Sequence, residues 1–193
     1  MLKECKLTIE GHVKIYDLTA KTILFEGANA VNSETMSIVV ANMLQGNNSN
    51  YVYELHMGNG GTVIDETGSI TYKDVTENLE LGTVAELYNP IYYKVVDEID
   101  NVYNDDATRN NVSVQHSEGL SYTDLIITCT LEEEQPNVGS AIPGEIIFNE
   151  IGLKNRGLSG PNTGYLLSHI VFEPVTKNAG RVIQIVYTLR IRL

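Results

Sequence analysis

A mainly β domain is what the sequence predicts: a single antiparallel β-sandwich, jelly-roll-like, with one amphipathic helix near residues 33–45. Three observations point there. Apolar and polar residues alternate with period two through most of the chain, as pleated strands require. Only one segment carries the i, i+3, i+4, i+7 spacing of a helix face. The chain also closes on a long alternating run, with Ile183, Ile185, Tyr187, Leu189, Ile191 and Leu193 on one face and Val182, Gln184, Val186, Thr188, Arg190 and Arg192 on the other. A terminal strand of this kind is expected to close a sheet.

Taken in order, Cys5 to Ile15 places apolar residues at most odd positions, a half-buried strand with Gly11 as a bulge or bend. Asp17 to Thr22 reads as a turn and Ile23–Glu26 as the return strand of a hairpin. The helix follows, with Asn32 or Ser33 as N-cap, Met36, Val39, Val40, Met43 and Leu44 on one face, and Gly46 as the left-handed residue that ends it. Its methionines read as core. Tyr51 to Met57 alternates again, with Val52, Glu54 and His56 on the second side, and Gly58-Asn-Gly-Gly-Thr62 gives a sharp exit. No Gly-Lys-Ser/Thr follows these glycines, so they do not form a phosphate-binding loop.

Between 63 and 90 the pattern is weak: a short strand over Ser69–Val75, then a helical turn or extended arm from Asn78 to Leu87. Strands are predicted at Ile91–Val96, Asn111–His116 and Tyr122–Leu131, the last with Thr123, Leu125, Ile127, Cys129 and Leu131 facing one way. The last third adds Glu145–Leu153, Tyr165–Glu173 and Arg181–Leu193. No internal repeat or long polar linker interrupts the chain, so residues 1–193 read as one domain of about eight to ten strands. Extended loops are expected near 58–90, 97–110 and 132–144.

The composition excludes more than it assigns. A net charge of −12 argues against general binding to nucleic acid or to anionic membranes. The apolar stretches are far shorter than the roughly 20 residues of a membrane-spanning helix. The N-terminus runs into a strand pattern without the features of a signal peptide, which makes a cytoplasm the expected place of synthesis. Cys5 and Cys129 fall in separate strands and read as small buried side chains.

The acidic loop at 97–106 is the best candidate for a metal, since Asp97, Asp100, Asn104, Asp105 and Asp106 supply the hard oxygen ligands calcium takes. It lacks the glycine and spacing of an EF-hand, and a solvated surface loop is the favoured reading. His12, His56, His116 and His169 stand singly in different strands and read as structural histidines. No nucleophile elbow, zinc-protease helix or dinucleotide fingerprint is present. No catalytic, cofactor-binding or metal-binding residue is therefore assigned, no cofactor is expected, and the chain reads as a non-enzyme. The eleven tyrosines divide between aromatic packing and an interface or carbohydrate-stacking surface.

Several of these segments, in this order, resemble structural proteins of the neck, tail and fibre regions of tailed bacteriophages. The resemblance is carried by the opening hairpin, the helix Asn32 to Gly46 and the turn Met57-Gly-Asn-Gly-Gly-Thr62. It continues in Phe148-Asn-Glu-Ile-Gly-Leu153, in Leu166-Leu-Ser-His-Ile-Val-Phe-Glu-Pro174 with Lys177, and in Ile183 to Ile191. The stretch 97–118 and the acidic loop 132–139 have no counterpart. The resemblance implies a non-enzymatic building block of the virion, made in the host cytoplasm. Its partners would be other copies of itself and neighbouring virion proteins, met through strand edges and extended loops, with no specific recognition of nucleic acid and no membrane. In a ring around the DNA path, the negative charge would keep the lumen from gripping DNA. The competing reading is a carbohydrate-binding or adhesin-like sandwich, calcium-dependent through the 97–106 loop.

Overall fold

The computed structural model describes residues 6–47, 50–97, 102–136 and 144–192. Eleven strands dominate it: β1 (Thr8–Asp17), β2 (Thr22–Val31), β3 (Val52–Gly58), β4 (Thr62–Ile64), β5 (Ile70–Tyr72), β6 (Pro90–Val95), β7 (Asn111–Gln115), β8 (Tyr122–Leu131), β9 (Ile146–Asn155), β10 (Leu166–Lys177) and β11 (Ile183–Arg192). Nine of them form one antiparallel sheet in the order β6-β3-β9-β10-β2-β1-β11-β8-β7, and β4 pairs with β5 apart from it. The mainly β, antiparallel class is as expected.

The sheet curls on itself about β2. That strand pairs with β1 along Gly11–Asp17 but meets β10 only at Ala30 and Val31, so its two neighbours diverge. The halves thereby face each other across one core, in which Ile15, Ile127 and Ile185 meet Leu55, Phe148 and Ile151. Each such side chain contributes about 1.5–3 kcal/mol by leaving water. Phe172 stacks on Phe25 at 4.8 Å and meets Phe148 edge-on at 5.8 Å, tying three strands together. Tyr187 of β11, fully buried, donates its hydroxyl to Ser168 Oγ of β10 at 2.7 Å, one polar tie between the halves.

The last strand does not close the sheet at an edge. β11 lies inside it, paired over its whole length with β1 on one side and β8 on the other, and the edges are β6 and β7. Its alternating face still supplies Ile183, Ile185, Tyr187 and Leu189 to the core. Gly11 is no bulge either, since the register shift falls between Ile15 and Tyr16. A Cβ at Gly11 would stand 1.8 Å from Asn29 Oδ1, so a glycine there makes room for the side chain across the ladder. β10 outruns its predicted end by passing Pro174 within a register break between Val171 and Val175, which spares the ladder a missing donor.

The long helix α1 (Ser33–Leu44) begins where Asn32 Oδ1 accepts from Thr35 N at 3.3 Å and ends before Gly46, whose φ of 89° suits only glycine comfortably. Thr35 donates to the Leu166 carbonyl at 2.7 Å and fixes the helix to the start of β10. Met36 and Val39 are buried as expected. Met43 and Leu44 are not: they are 54 % and 85 % exposed, at the last turn of the helix.

Residues 59–89 fold back over the outer face of β3, β9 and β10. They comprise β4, β5, a one-turn helix α2 (Val75–Leu79) and a 3₁₀ turn at Gly82–Val84. Leu79, Ala85 and Leu87 pack on Leu166 and Ala30 in a second, smaller apolar cluster on that side. Asn32 Nδ2 donates to the Gly82 carbonyl at 3.0 Å, joining this arm to the cap of α1.

Candidate functional site

Beneath the arm lies a polar layer. Alternation along β3 sends Leu55 and Met57 into the core and Glu54, His56 and Gly58 to the outer face, where polar side chains would ordinarily meet water. The arm covers them instead, together with Tyr93 and the loop that holds Asn162. His56 and His169 both stand opposite Gly152, so β3, β9 and β10 present a row of histidine, glycine and histidine. A Cβ on Gly152 would come within 2.6 Å of Leu166 and 3.1 Å of Leu87. The glycine is the notch into which the arm descends.

On one side of this row Glu150, 0 % exposed, accepts from His169 Nε2 and from the backbone N–H groups of Gly60, Tyr88 and Asn89, each at 2.9 Å. Burial alone would push its carboxyl up. The hydrogen bonds from His169 and the three amides outweigh burial and hold it below the usual carboxylate range. Asn78 of α2 reaches His169 Nδ1 at 3.3 Å. On the other side His56 Nε2 lies 2.6 Å from Glu54 Oε2, and Lys154 is paired with Glu86 of the arm. Burial lowers the His56 pKa, with Lys154 adding to the effect and Glu54 opposing it. Tyr93 of β6 stacks on His56 at 5.3 Å.

Carboxylate–imidazole pairs of this kind can move protons where a substrate reaches them. Here His56 and His169 are 1 % and 0 % exposed. The Glu150–His169 pair is spent on holding the arm to the sheet, and Glu54 Oε1 accepts from Asn162 N in the loop between β9 and β10. The other two histidines stay apart: His12 lies 3.5 Å from Glu26, and His116 Nδ1 meets the Tyr122 carbonyl and the Thr123 hydroxyl.

The oxygen groups of the described acidic-loop residues Asp97, Asn104, Asp105 and Asp106 also have partners within the chain. Asp97 accepts from the Tyr51 hydroxyl at 2.8 Å, Asn104 spans the Asp97 and Asn110 carbonyls, and Asp106 caps Thr108. Asp105 is engaged by Lys94, Gln135 and Asn110. The Lys94 ammonium, 5 % exposed, also donates to the Thr130 carbonyl at 2.9 Å and Gln135 Oε1 at 2.8 Å, so a side-chain cation already neutralises Asp105. Asp100 lies outside the described residues, as does Cys5. Cys129 is buried, and burial pushes its thiol up to about 12. No metal-binding group of three or more His, Cys, Asp or Glu side chains occurs among the described residues. None of their helices is long and apolar enough to cross a membrane. The exposed tyrosines, Tyr72, Tyr93, Tyr103 and Tyr165, stand on four different segments rather than on one platform.

An exposed apolar surface lies around α1. The helix forms a ridge between two apolar grooves of about 700 and 510 Å³ that share Ile9, Met36 and Val40. Leu7, Met43, Leu44, Val114 and Ile191 line the two grooves and are 37–85 % exposed. Periodicity places Met43 and Leu44 on the same helix face as Met36 and Val39 but does not say which turns of that face the fold covers. That limit hid this surface from the sequence. Comparison with protein-family models, with curated proteins and with solved structures found no match.

Proposed function

We propose that the chain is a non-enzymatic structural subunit of a tailed-bacteriophage virion, assembling at the neck, collar or tail with copies of itself and with neighbouring virion proteins. The observation that carries the assembly role is the apolar ridge and its two grooves at the α1 end, where Met43 and Leu44 lie largely in solvent. A soluble monomer seldom leaves such a contiguous patch uncovered, and a partner surface relieves it. The placement in a phage particle rests on the sequence resemblance. The buried polar layer supports the same role, because Glu54, His56, Glu150 and His169 spend their hydrogen bonds within the chain and are closed to solvent.

The test is to purify particles from a lysate of the source, identify this chain by mass spectrometry, and locate it by electron microscopy with a bound antibody fragment. Stoichiometric peptides and a symmetric position at the neck, collar or tail are expected. Absence from intact particles, with a strictly monomeric chain that binds glycans in a calcium-dependent way, would replace the proposal with the carbohydrate-binding reading.

A further inference from the structure

A further cavity, polar where the α1 grooves are apolar, lies where the loop between β9 and β10 meets the chain before β3 and the last turn of α1. Its volume is about 240 Å³, and Asn42, Asn50, Arg156, Ser159, Thr163 and Tyr165 are among the residues that line it. Close approaches shape the loop. Gly157 pairs across it with Gly160, and a Cβ on Gly157 would stand 2.0 Å from Thr163 Oγ1. Asn155, at the root of the loop, accepts from Tyr165 N at 2.6 Å and donates to Asn50 Oδ1 at 3.3 Å, so one side chain straps the two ends of the loop together and to Asn50. Arg156 N donates to the Tyr51 carbonyl at 3.0 Å. The walls are thus held by bonds within the chain.

Two of the wall residues carry donors that the chain leaves unused. The Arg156 side chain makes no hydrogen bond and no ion pair among the described residues, and its Nε is buried without a partner. Lys14, Lys94, Lys154, Arg181 and Arg190, by contrast, each reach a carboxylate. The Arg156 guanidinium lies 5.7 Å from the centre of the Tyr53 ring. Asn50 is 8 % exposed; its Oδ1 is taken by Asn155, and its Nδ2 donates to no described residue. Unused donors at such depth are rare in a folded chain. No Asp or Glu lines the cavity, although the chain holds 25 acidic residues against 13 basic ones. The end of α1 does not supply open acceptors in their place, since the Ala41, Asn42 and Met43 carbonyls accept from Gln45, Asn47 and Gly46 N.

We propose that this cavity binds a small hydroxylated oxyanion, a carboxylated or phosphorylated sugar unit, with Arg156 on its charged oxygens and Asn42, Asn50, Ser159 and Tyr165 on its hydroxyls. A guanidinium matches the paired oxygens of a carboxylate or phosphate, and here no wall carboxylate cancels its charge. With Nε buried, the two Nη groups are the ones left to meet the ligand. Amides and hydroxyls both donate and accept, as the hydroxyls of a sugar do. The volume is below the roughly 300–1,000 Å³ of pockets for drug-sized ligands, which limits the ligand to about one ring. The site is independent of the assembly role and calls for no calcium.

The experiment is a titration of the full chain, followed by amide NMR shifts, with sodium glucuronate, glucose 6-phosphate, glucose, acetate and inorganic phosphate. One or both sugar acids are expected to shift the amides of Asn50 and of Asn155 to Tyr165, with a Kd of about 1 mM or tighter. The tighter of the two identifies the charged group as carboxylate or phosphate. Glucose, acetate and phosphate are expected to bind at least about tenfold more weakly, each lacking half of what the cavity recognises. Arg156→Gln removes the charge from a side chain without a partner in the chain, and Ser159→Glu places a carboxylate on an exposed wall residue. Each should weaken binding at least about tenfold while urea denaturation stays as in wild type. Glucose binding as tightly as the acids overturns the oxyanion, and acetate or phosphate binding as tightly overturns the hydroxylated body. No saturable shift at these amides, or unchanged binding in either variant, overturns the site.

Discussion

Replacing Glu150 by alanine removes the acceptor on which the arm hangs. The change leaves the N–H groups of Gly60, Tyr88 and Asn89 and the His169 imidazole without their partner, all of it under cover. An unsatisfied buried donor costs about 1–3 kcal/mol, so three amides alone give roughly 3–9 kcal/mol by simple addition. They share one acceptor and relax together, so the smaller figure is nearer. Removing one partner of a buried pair gives about 3–5 kcal/mol by an independent route. The expected loss is about 4 kcal/mol, a large part of the roughly 5–15 kcal/mol that holds a domain folded. Glu150→Gln keeps one oxygen for Gly60 and Asn89 but turns an amide donor toward Tyr88 N and His169; the tautomer that accepts it points Nδ1–H at the Asn78 amide, so two contacts are lost, about 3 kcal/mol. Urea denaturation with a common slope gives both values, and amide hydrogen exchange should rise first at Gly60, Tyr88 and Asn89. A loss below about 1 kcal/mol in Glu150→Ala, with unchanged exchange at those amides, would refute the role assigned to the carboxylate.

Three further outcomes are expected. Burial depresses the folded-state pKa of His56, so on acidification the unfolded chain takes up the proton first. The contribution of the neutral ring is complete above about pH 6.5 and is lost as pH falls toward the lower folded value. His56→Gln should flatten the slope of unfolding free energy against pH just below that point, and an unchanged slope would contradict the assignment. Lys177, fully buried, donates to the Glu133, Gly144 and Asn178 carbonyls at 3.0, 3.1 and 3.3 Å; Lys177→Met strands them and should cost about 3 kcal/mol in urea denaturation. Millimolar calcium should leave the melting temperature within about 1 °C, because the described 97–106 carboxylates already have partners; a rise of several degrees in a thermal scan would show a cation site there.

The strands that repeat a period-two pattern over ten residues were legible from sequence because each buries one face. β8 is predicted with its observed ends, and β11 to within two residues at its start. β2 was seen only as Ile23–Glu26, since Gly27, Ala28 and Asn29 carry no apolar signal and owe their extended form to the ladder with β1. Position in the sheet was beyond reach, because the alternation in β11 is the same for an edge as for the interior. Nothing local marks Glu54, His56, Glu150 and His169 as buried; their cover comes from the 59–89 arm, from Tyr93 and from the loop that holds Asn162. Gly152 was the available clue, as a glycine inside a strand marks a close approach. The assembly surface was hidden for the converse reason, since nothing local tells Met43 and Leu44 apart from Met36 and Val39.

Sedimentation velocity of the purified chain over a wide concentration range, beside Leu44→Asp, tests most directly whether the α1 end is an assembly surface. Wild type should associate as concentration rises, and the variant should remain a monomer of unchanged stability, because Leu44 is 85 % exposed. A wild-type chain that stays monomeric throughout, or a variant that associates as wild type does, would contradict it.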